Sequence, residues 1–389
     1  MMGGFKLERN ILIIWITTFT TMLGVGFIAP ILAVYAKTLG ATNLEIGLIF
    51  GSFAFARTLA QIPVGVLSDI YGKKIFIVMG TLFYGVFTLM YSFVESVLGF
   101  LIVRILTGVF SAFVTPVAGS YIASIAPKTR LGEYMGVFNS AITLGFGIGP
   151  FIGGALADIY GIKTPFYFCG MLGILAAIIS YFKLEDIKFG KNCKLRELSL
   201  YKLFSFEFLK DKKFFYSFIV NVSNVMINAG IYAYLSLYAI NYGISLGQVG
   251  FMIASTNILM AIFQRKVGKL FDKFGSVMII FGVLIISLGM FSLSKSTTFL
   301  SMLISLTVVA IGSSASSTST LSLAVRDIPV QRKGEAMGLF TTSMNIGMFI
   351  GAVSFGFLAD ILGIANMYRF SALFSLIVGS LAYLKIRKL

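Results

Sequence analysis

Long apolar stretches alternate with short polar breaks along all 389 residues of the chain. Apolar segments lie near 10–35, 46–68, 75–94, 97–125, 134–157 and 164–182. Six more lie near 214–241, 246–271, 276–294, 298–325, 336–359 and 367–384. A helix of about 20 residues crosses the roughly 30 Å hydrocarbon layer of a bilayer, and only helices and closed barrels satisfy their own backbone groups there. The pattern therefore predicts an all-α membrane protein with twelve transmembrane helices. The first segment follows Lys6 and Arg9 and reaches Lys37 without a small-residue cleavage site. It reads as a permanent span, not a signal peptide.

Composition agrees with a lipid environment: 58% of residues are apolar and 12% charged, against about a quarter charged in soluble domains. The 31 basic and 15 acidic residues give a net charge of +16, and their placement predicts topology. Basic residues crowd both chain ends, the loop 183–213 and every second connection, including Lys73 and Lys74, Lys128 and Arg130, and Arg332 and Lys333. The opposite connections hold Lys37, Lys163, Lys295 and Arg369. By the positive-inside rule both termini and the central loop are cytoplasmic, in a multi-pass protein of the cell membrane. The charge is scattered over short connections and forms no single basic face, so no nucleic-acid partner is expected.

There is no histidine, which removes the commonest general base and metal ligand. Cys169 in an apolar run and Cys193 in a basic loop form neither a disulfide framework nor a zinc motif. No metal, cofactor, catalytic residue or phosphate-binding G-x-x-x-x-G-K-[ST] motif is expected. A membrane-embedded enzyme is accordingly disfavoured.

The polar stretch 183–213 separates six spans, residues 1–182, from six more, residues 214–389, and is expected to carry a surface amphipathic helix. An offset of 203 superposes Gly47, Ser52, Gln61, Gly65, Leu67, Asp69 and Gly72 on Gly250, Ser255, Gln264, Gly268, Leu270, Asp272 and Gly275. An offset of 202 superposes Pro127, Arg130, Gly132, Glu133, Met135 and Gly136 on Pro329, Arg332, Gly334, Glu335, Met337 and Gly338. It then carries Gly145, Gly149, Gly154 and Asp158 onto Gly347, Gly351, Gly356 and Asp360. A duplicated six-helix unit is the mark of a transporter whose halves rock about a central site.

Gly65-Val-Leu-Ser-Asp69-Ile-Tyr-Gly72-Lys73-Lys74 resembles the signature loop of the major facilitator superfamily. Gly268-Lys-Leu-Phe-Asp272-Lys-Phe-Gly275 is a weaker copy, with Ser276 in place of the first base. Gly65 is expected to let helix backbones approach closely and Gly72 to permit a tight reversal. The resemblance implies that Asp69 with Lys73 or Lys74 latches the two halves on the cytoplasmic side. Topology alone is the plainer account of the two lysines. Gly145-Phe-Gly-Ile-Gly149-Pro150-Phe-Ile-Gly153-Gly154 resembles the antiporter motif of the drug and metabolite exporter branch, and is expected to be a pivot. The second repeat has Ala352 and Phe355 where the first has Pro150 and Gly153.

Two arginines lie inside spans. Arg57 is 12 residues from both Glu45 and Asp69, and Arg104 sits about two turns into the fourth span. A cation at such depth is costly unless it faces a cavity or a partner. No span carries an acid near its centre; Asp158, Asp360, Glu45 and Glu95 all fall near outer ends. The pair points to an anionic, amphiphilic or zwitterionic substrate, or, for Arg57, to a structural contact. Arg104-Ile-Leu-Thr-Gly108 resembles the fourth-span motif of proton-coupled members, with Phe110 replacing its second glycine. Ser217, Asn221, Asn224, Asn228 and Tyr232 share one helical face and are expected to line a cavity with Thr17, Thr18, Thr20, Thr21, Thr107 and Ser111. The run Ser313 to Thr320 reads as packing or ligand contact.

The sequence thus predicts a monomeric secondary carrier for a small molecule, exporting an amphiphilic or anionic compound by alternating access with the proton as coupling ion. Uptake or exchange of a metabolite anion or sugar is the alternative. A non-transporting receptor is the reading from another class.

Overall fold

The computed structural model describes residues 2–127, 130–186, 206–329 and 332–387. Most of the predicted amphipathic segment, and Cys193, lie outside them. Among the described residues there is no strand. The α-helices are α1 Met2–Thr38, α2 Asn43–Tyr71, α3 Lys73–Met90, α4 Val97–Ser111, α5 Thr115–Ile125, α6 Leu131–Tyr160 and α7 Thr164–Lys183. They continue as α8 Lys212–Ile240, α9 Leu246–Phe274, α10 Val277–Leu293, α11 Phe299–Arg326, α12 Lys333–Leu362 and α13 Ile364–Ile386.

Among the described residues ten spans are long and apolar enough to cross a membrane, or eleven with α2 counted as one, bent by 44° between Gln61 and Pro63. Proline has no N–H to continue the helical ladder, which accounts for the bend. The predicted span 276–294 forms α10, an apolar helix of 17 residues at the lower end of the length that crosses a bilayer. Twelve is reached only by counting both. The fourth predicted span is α4 and α5 in one line, 97–125, interrupted before Pro116. There Ala112, Phe113 and Val114 each donate to the carbonyl three residues back, a short tightening of the helix.

The chain divides into two compact units. Unit 1 holds Met1–Gly40, Ser52–Lys194 and Leu246–Ala254; unit 2 holds Ala41–Gly51, Leu195–Ser245 and Ser255–Leu389. In unit 1, α1 packs along α6 and α7, and α3 along α7 and α4. In unit 2, α8 packs along α12 and α13, and α10 along α13 and α11. The repeat seen in the sequence is thus a repeat of packing. Among the described residues the glycines with positive φ form three repeat pairs, Gly40 with Gly243, Gly72 with Gly275 and Gly161 with Gly363.

Glycine sets the closest helix seams. A methyl group on Gly145 would meet the Phe19 carbonyl oxygen of α1 at 2.7 Å, and one on Gly149 the Leu23 oxygen at 2.7 Å. Repeat-related Gly347 and Gly351 on α12 meet Val222 oxygen at 2.8 Å and Met226 oxygen at 2.7 Å on α8. With no side chain at these turns, the backbones approach to van der Waals contact, the source of cohesion when neither helix gains from leaving water.

Candidate functional site

In unit 1, Phe53 and Arg57 stand one turn apart on α2. Gly108 of α4 admits the α2 backbone, since a methyl there would lie 2.7 Å from the Phe53 oxygen. That approach lays the Arg104 guanidinium over the Phe53 ring, 4.5 Å from its centroid. An arginine stacked on an aromatic face is held by the ring quadrupole, more strongly when water is excluded. Arg104 is 3% exposed. Tyr91, in the turn after α3, hydrogen-bonds Thr107 at 2.9 Å and engages Arg104. Arg57 is partly exposed, and the Tyr84 phenol is its electrostatic neighbour. The same phenol faces Arg104 and Cys169, and its buried hydroxyl has no hydrogen-bond partner among the described residues. The Tyr84 phenol is thus an electrostatic neighbour of both guanidiniums, and no carboxylate acts on Arg57 among the described groups. Phe53, Tyr84 and Tyr91 were not singled out in the sequence, because aromatic residues are too frequent in this chain to signal a site.

Thr17, Thr18, Thr20 and Thr21 of α1 are buried. Thr17 donates to the Ile13 oxygen at 2.7 Å and shares a hydrogen bond with Ser180 of α7 at 2.8 Å; Thr21 donates to the Thr17 oxygen at 2.9 Å. In unit 2 the asparagine stripe of α8 divides. Asn221 donates to Ser343 of α12 at 2.7 Å and Asn224 to Ser316 of α11 at 2.7 Å. Both are buried, as is Ser217, so this stretch joins helices through side-chain amides. Asn228 and Tyr232 are partly exposed. Asn228 donates to the Asn224 oxygen at 2.9 Å, and Tyr232 to Asn257 of α9.

The signature loop lies between α2 and α3. Gly72 takes φ 100°, a conformation open to glycine, and reverses the chain. Lys73 is 4% exposed. Its ammonium lies 3.3 Å from Asp69 and donates to the Ser120 oxygen at 3.2 Å and to Ser124 at 2.8 Å, in the last turns of α5. A cation there complements the helix C-terminus. Lys74 lies over the Tyr181 ring, 5.8 Å from its centroid. The predicted close approach at Gly65 is not seen: a methyl there meets no described atom within 4 Å, nor does one at Gly268. In the second copy Gly275 has φ 59° and Asp272 is exposed.

The antiporter-like motif has two faces. Gly145, Gly149 and Gly153 pack on α1, whereas Pro150 and Gly154 meet the first turns of α9, at Gly250 and Leu246. One turn beyond Gly154, Asp158 accepts hydrogen bonds from the backbone N–H of Leu246 at 3.1 Å and of Gly247 at 2.8 Å. In unit 2, Asp360 accepts from Asn43 at 3.0 Å and Leu44 at 2.9 Å. The sequence placed these acids only near span ends; their recurrence in both repeats was the available signal.

The family model described as Major Facilitator Superfamily matches residues 14–352 and 276–388. An uncharacterized MFS-type transporter of Methanocaldococcus jannaschii is 77% identical, covering 98% of this chain and 100% of its own. The quinolone resistance protein NorA of Staphylococcus aureus is 28% identical over 91% of each chain. Among solved structures, a bacterial homolog of the human lysosomal transporter Spinster superposes with TM-score 0.82 at 15% identity, covering 97% of this chain and 95% of its own. With the duplicated helical units, the signature loop and these matches, the chain belongs to the major facilitator superfamily of transporters.

Proposed function

We propose that the protein is a secondary carrier that exports a small amphiphilic or anionic compound across the cell membrane by alternating access, with protons moving in the opposite direction. The observation that carries the substrate class is Arg57: a partly exposed cation in the middle of α2, faced by a phenol and by no described carboxylate. An anionic group on the substrate would offset its desolvation, while the stacking of Arg104 on Phe53 and its contact with Tyr91 keep the second charge in place. The antiporter-like glycine motif and the relative named for quinolone resistance support export. Exchange for another anion is the second reading, favoured by the lack of an acid near any span centre.

The test is flux into proteoliposomes under an imposed pH gradient, comparing anionic, neutral and permanently cationic amphiphiles. Arg57→Ala is expected to lower anion flux about 10-fold or more, the worth of one charge-assisted contact. Binding can be followed separately by the fluorescence of Trp15, since the chain has one tryptophan. Strong flux of a permanent cation that anions do not compete with would overturn the substrate class. Flux indifferent to pH but dependent on a solute in the opposite compartment would replace protons with exchange.

A further inference from the structure

Asp158 and Asp360 do the same thing at repeat-related places. Each ends a G-x-x-x-D sequence, Gly154-Ala-Leu-Ala-Asp158 and Gly356-Phe-Leu-Ala-Asp360. The glycine receives the end of another helix on its bare backbone, with Leu246 oxygen against Gly154 and Asn43 oxygen against Gly356. The carboxylate one turn later takes two consecutive backbone N–H groups of that helix end, one on each oxygen, at 2.8 to 3.1 Å. The receiving helix is always the repeat-related one, α9 for Asp158 and α2 for Asp360. Each contact therefore joins a helix of one sequence repeat to a helix of the other. In both cases the clasped turns are grouped with the aspartate's unit, while most of the helix belongs to the other unit.

Local capping does not require these acids. At α2, Thr42 and Glu45 already form a reciprocal cap: Glu45 N–H donates to Thr42 Oγ1 at 3.2 Å and Thr42 N–H to Glu45 Oε2 at 2.8 Å. Ser245 and Gln248 hold the equivalent positions at α9. Asp360 takes the first two N–H groups, which this cap leaves open, and a helix start can surrender such a partner to water. An anion on a helix N-terminus is a favourable and easily exchanged contact.

We infer that Asp158 and Asp360 are the paired clasps of a gate on the side away from the basic connections, and that the carrier opens there by releasing both. This rests on the alternating-access reading, but its test needs no substrate. Val249 on α9 and Ile46 on α2 are repeat-related and fully buried one turn below the clasped amides. Single cysteines at these positions, Val249→Cys and Ile46→Cys in a Cys169→Ser, Cys193→Ser background, report opening through their rate of reaction with a membrane-impermeant maleimide. Asp158→Ala is expected to speed labelling at position 249, and Asp360→Ala at position 46, about 5-fold or more, with Asp→Glu restoring most of the slow rate. Native Cys169, buried in α7, serves as control in chains carrying only Cys193→Ser and the clasp variant, and its slow labelling is expected to persist. Unchanged labelling at 249 and 46 would overturn the clasps even if the parent transports. Equal acceleration at Cys169 would overturn them too, by showing general loosening. A parent that moves no solute under any gradient, with clasp-dependent labelling intact, would instead count against the carrier reading alone.

Discussion

Lys73 shows how one residue combines roles that sequence alone keeps apart. As one of two adjacent lysines it read as a topology signal or a latch, yet its ammonium is enclosed and holds Ser120, Ser124 and Asp69 together at the end of α5. Truncating it removes charge-assisted hydrogen bonds to partly buried oxygens, which costs about 1–3 kcal/mol. Lys73→Met is therefore expected to lower the melting temperature of the detergent-solubilised protein, and Lys74→Met, which loses an exposed contact over Tyr181, to leave it nearly unchanged. A flux defect at Lys73→Met without a stability loss would restore the latch as its main role. On another connection, Asp327 is held below the usual carboxylate range by the hydrogen bond from Lys213, then by the charges of Lys213 and Arg326. A lowered carboxylate contributes stability above its ordinary value near 4, and that contribution disappears as pH falls through the lowered value. The pair is exposed, so the gain is below about 1 kcal/mol. Thermal unfolding should show a small deficit for Asp327→Asn at pH 7 and none at pH 2.

At the level of elements, hydropathy sufficed to locate nearly every helix, because a bilayer leaves few alternatives to a continuous apolar rod. It could not find the interruption before Pro116 or the bend at Pro63, where one residue's missing N–H acts inside an unbroken apolar run. Nor could it explain why the second repeat has Phe355 in place of Gly153, since the reason lies on the facing helix. Gly153 packs on Phe27 of α1, with a methyl meeting its Cα at 2.7 Å; Phe355 packs on Gly230 of α8, with a methyl on that glycine meeting the ring at 2.7 Å. Phe27 and Gly230 are themselves repeat-related: Gly153 faces the Phe27 backbone, whereas the Phe355 ring of the second repeat has a glycine to receive it. Gly153→Phe alone is expected to overpack α1 against α6, costing about 1–3 kcal/mol and lowering the yield of folded protein. Adding Phe27→Gly should recover part of that loss. A double-mutant cycle with no coupling, where contacting residues give about 0.5–3 kcal/mol, would show that the pairing is incidental.

At the scale of the whole molecule, duplication made the seams legible as paired letters but not as contacts. Gly47 and Gly250 superposed in the sequence; in the structure Gly47 meets the Ala352 carbonyl and Gly250 the Pro150 carbonyl, so close that a methyl has no room at either. The candidate site was less legible. Arg57 and Arg104 stood out as charges in apolar runs, but the partners that orient Arg104 are aromatic and indistinguishable in sequence from lipid-facing neighbours. The two features meet in one expectation about the transport cycle. An alternating-access carrier must close these seams once per turnover, whereas a binding protein that does not cycle has no such need. Gly47→Leu and Gly250→Leu wedge the seams without touching Arg57 or Arg104. Binding, read from Trp15 fluorescence, is expected to persist, while net flux falls about 10-fold or more as the closed form rises in energy by about 1.4 kcal/mol or more. A wedge that leaves flux intact would mean that turnover never requires these helices to come together. One that removes binding along with flux would tie the seam to the substrate site.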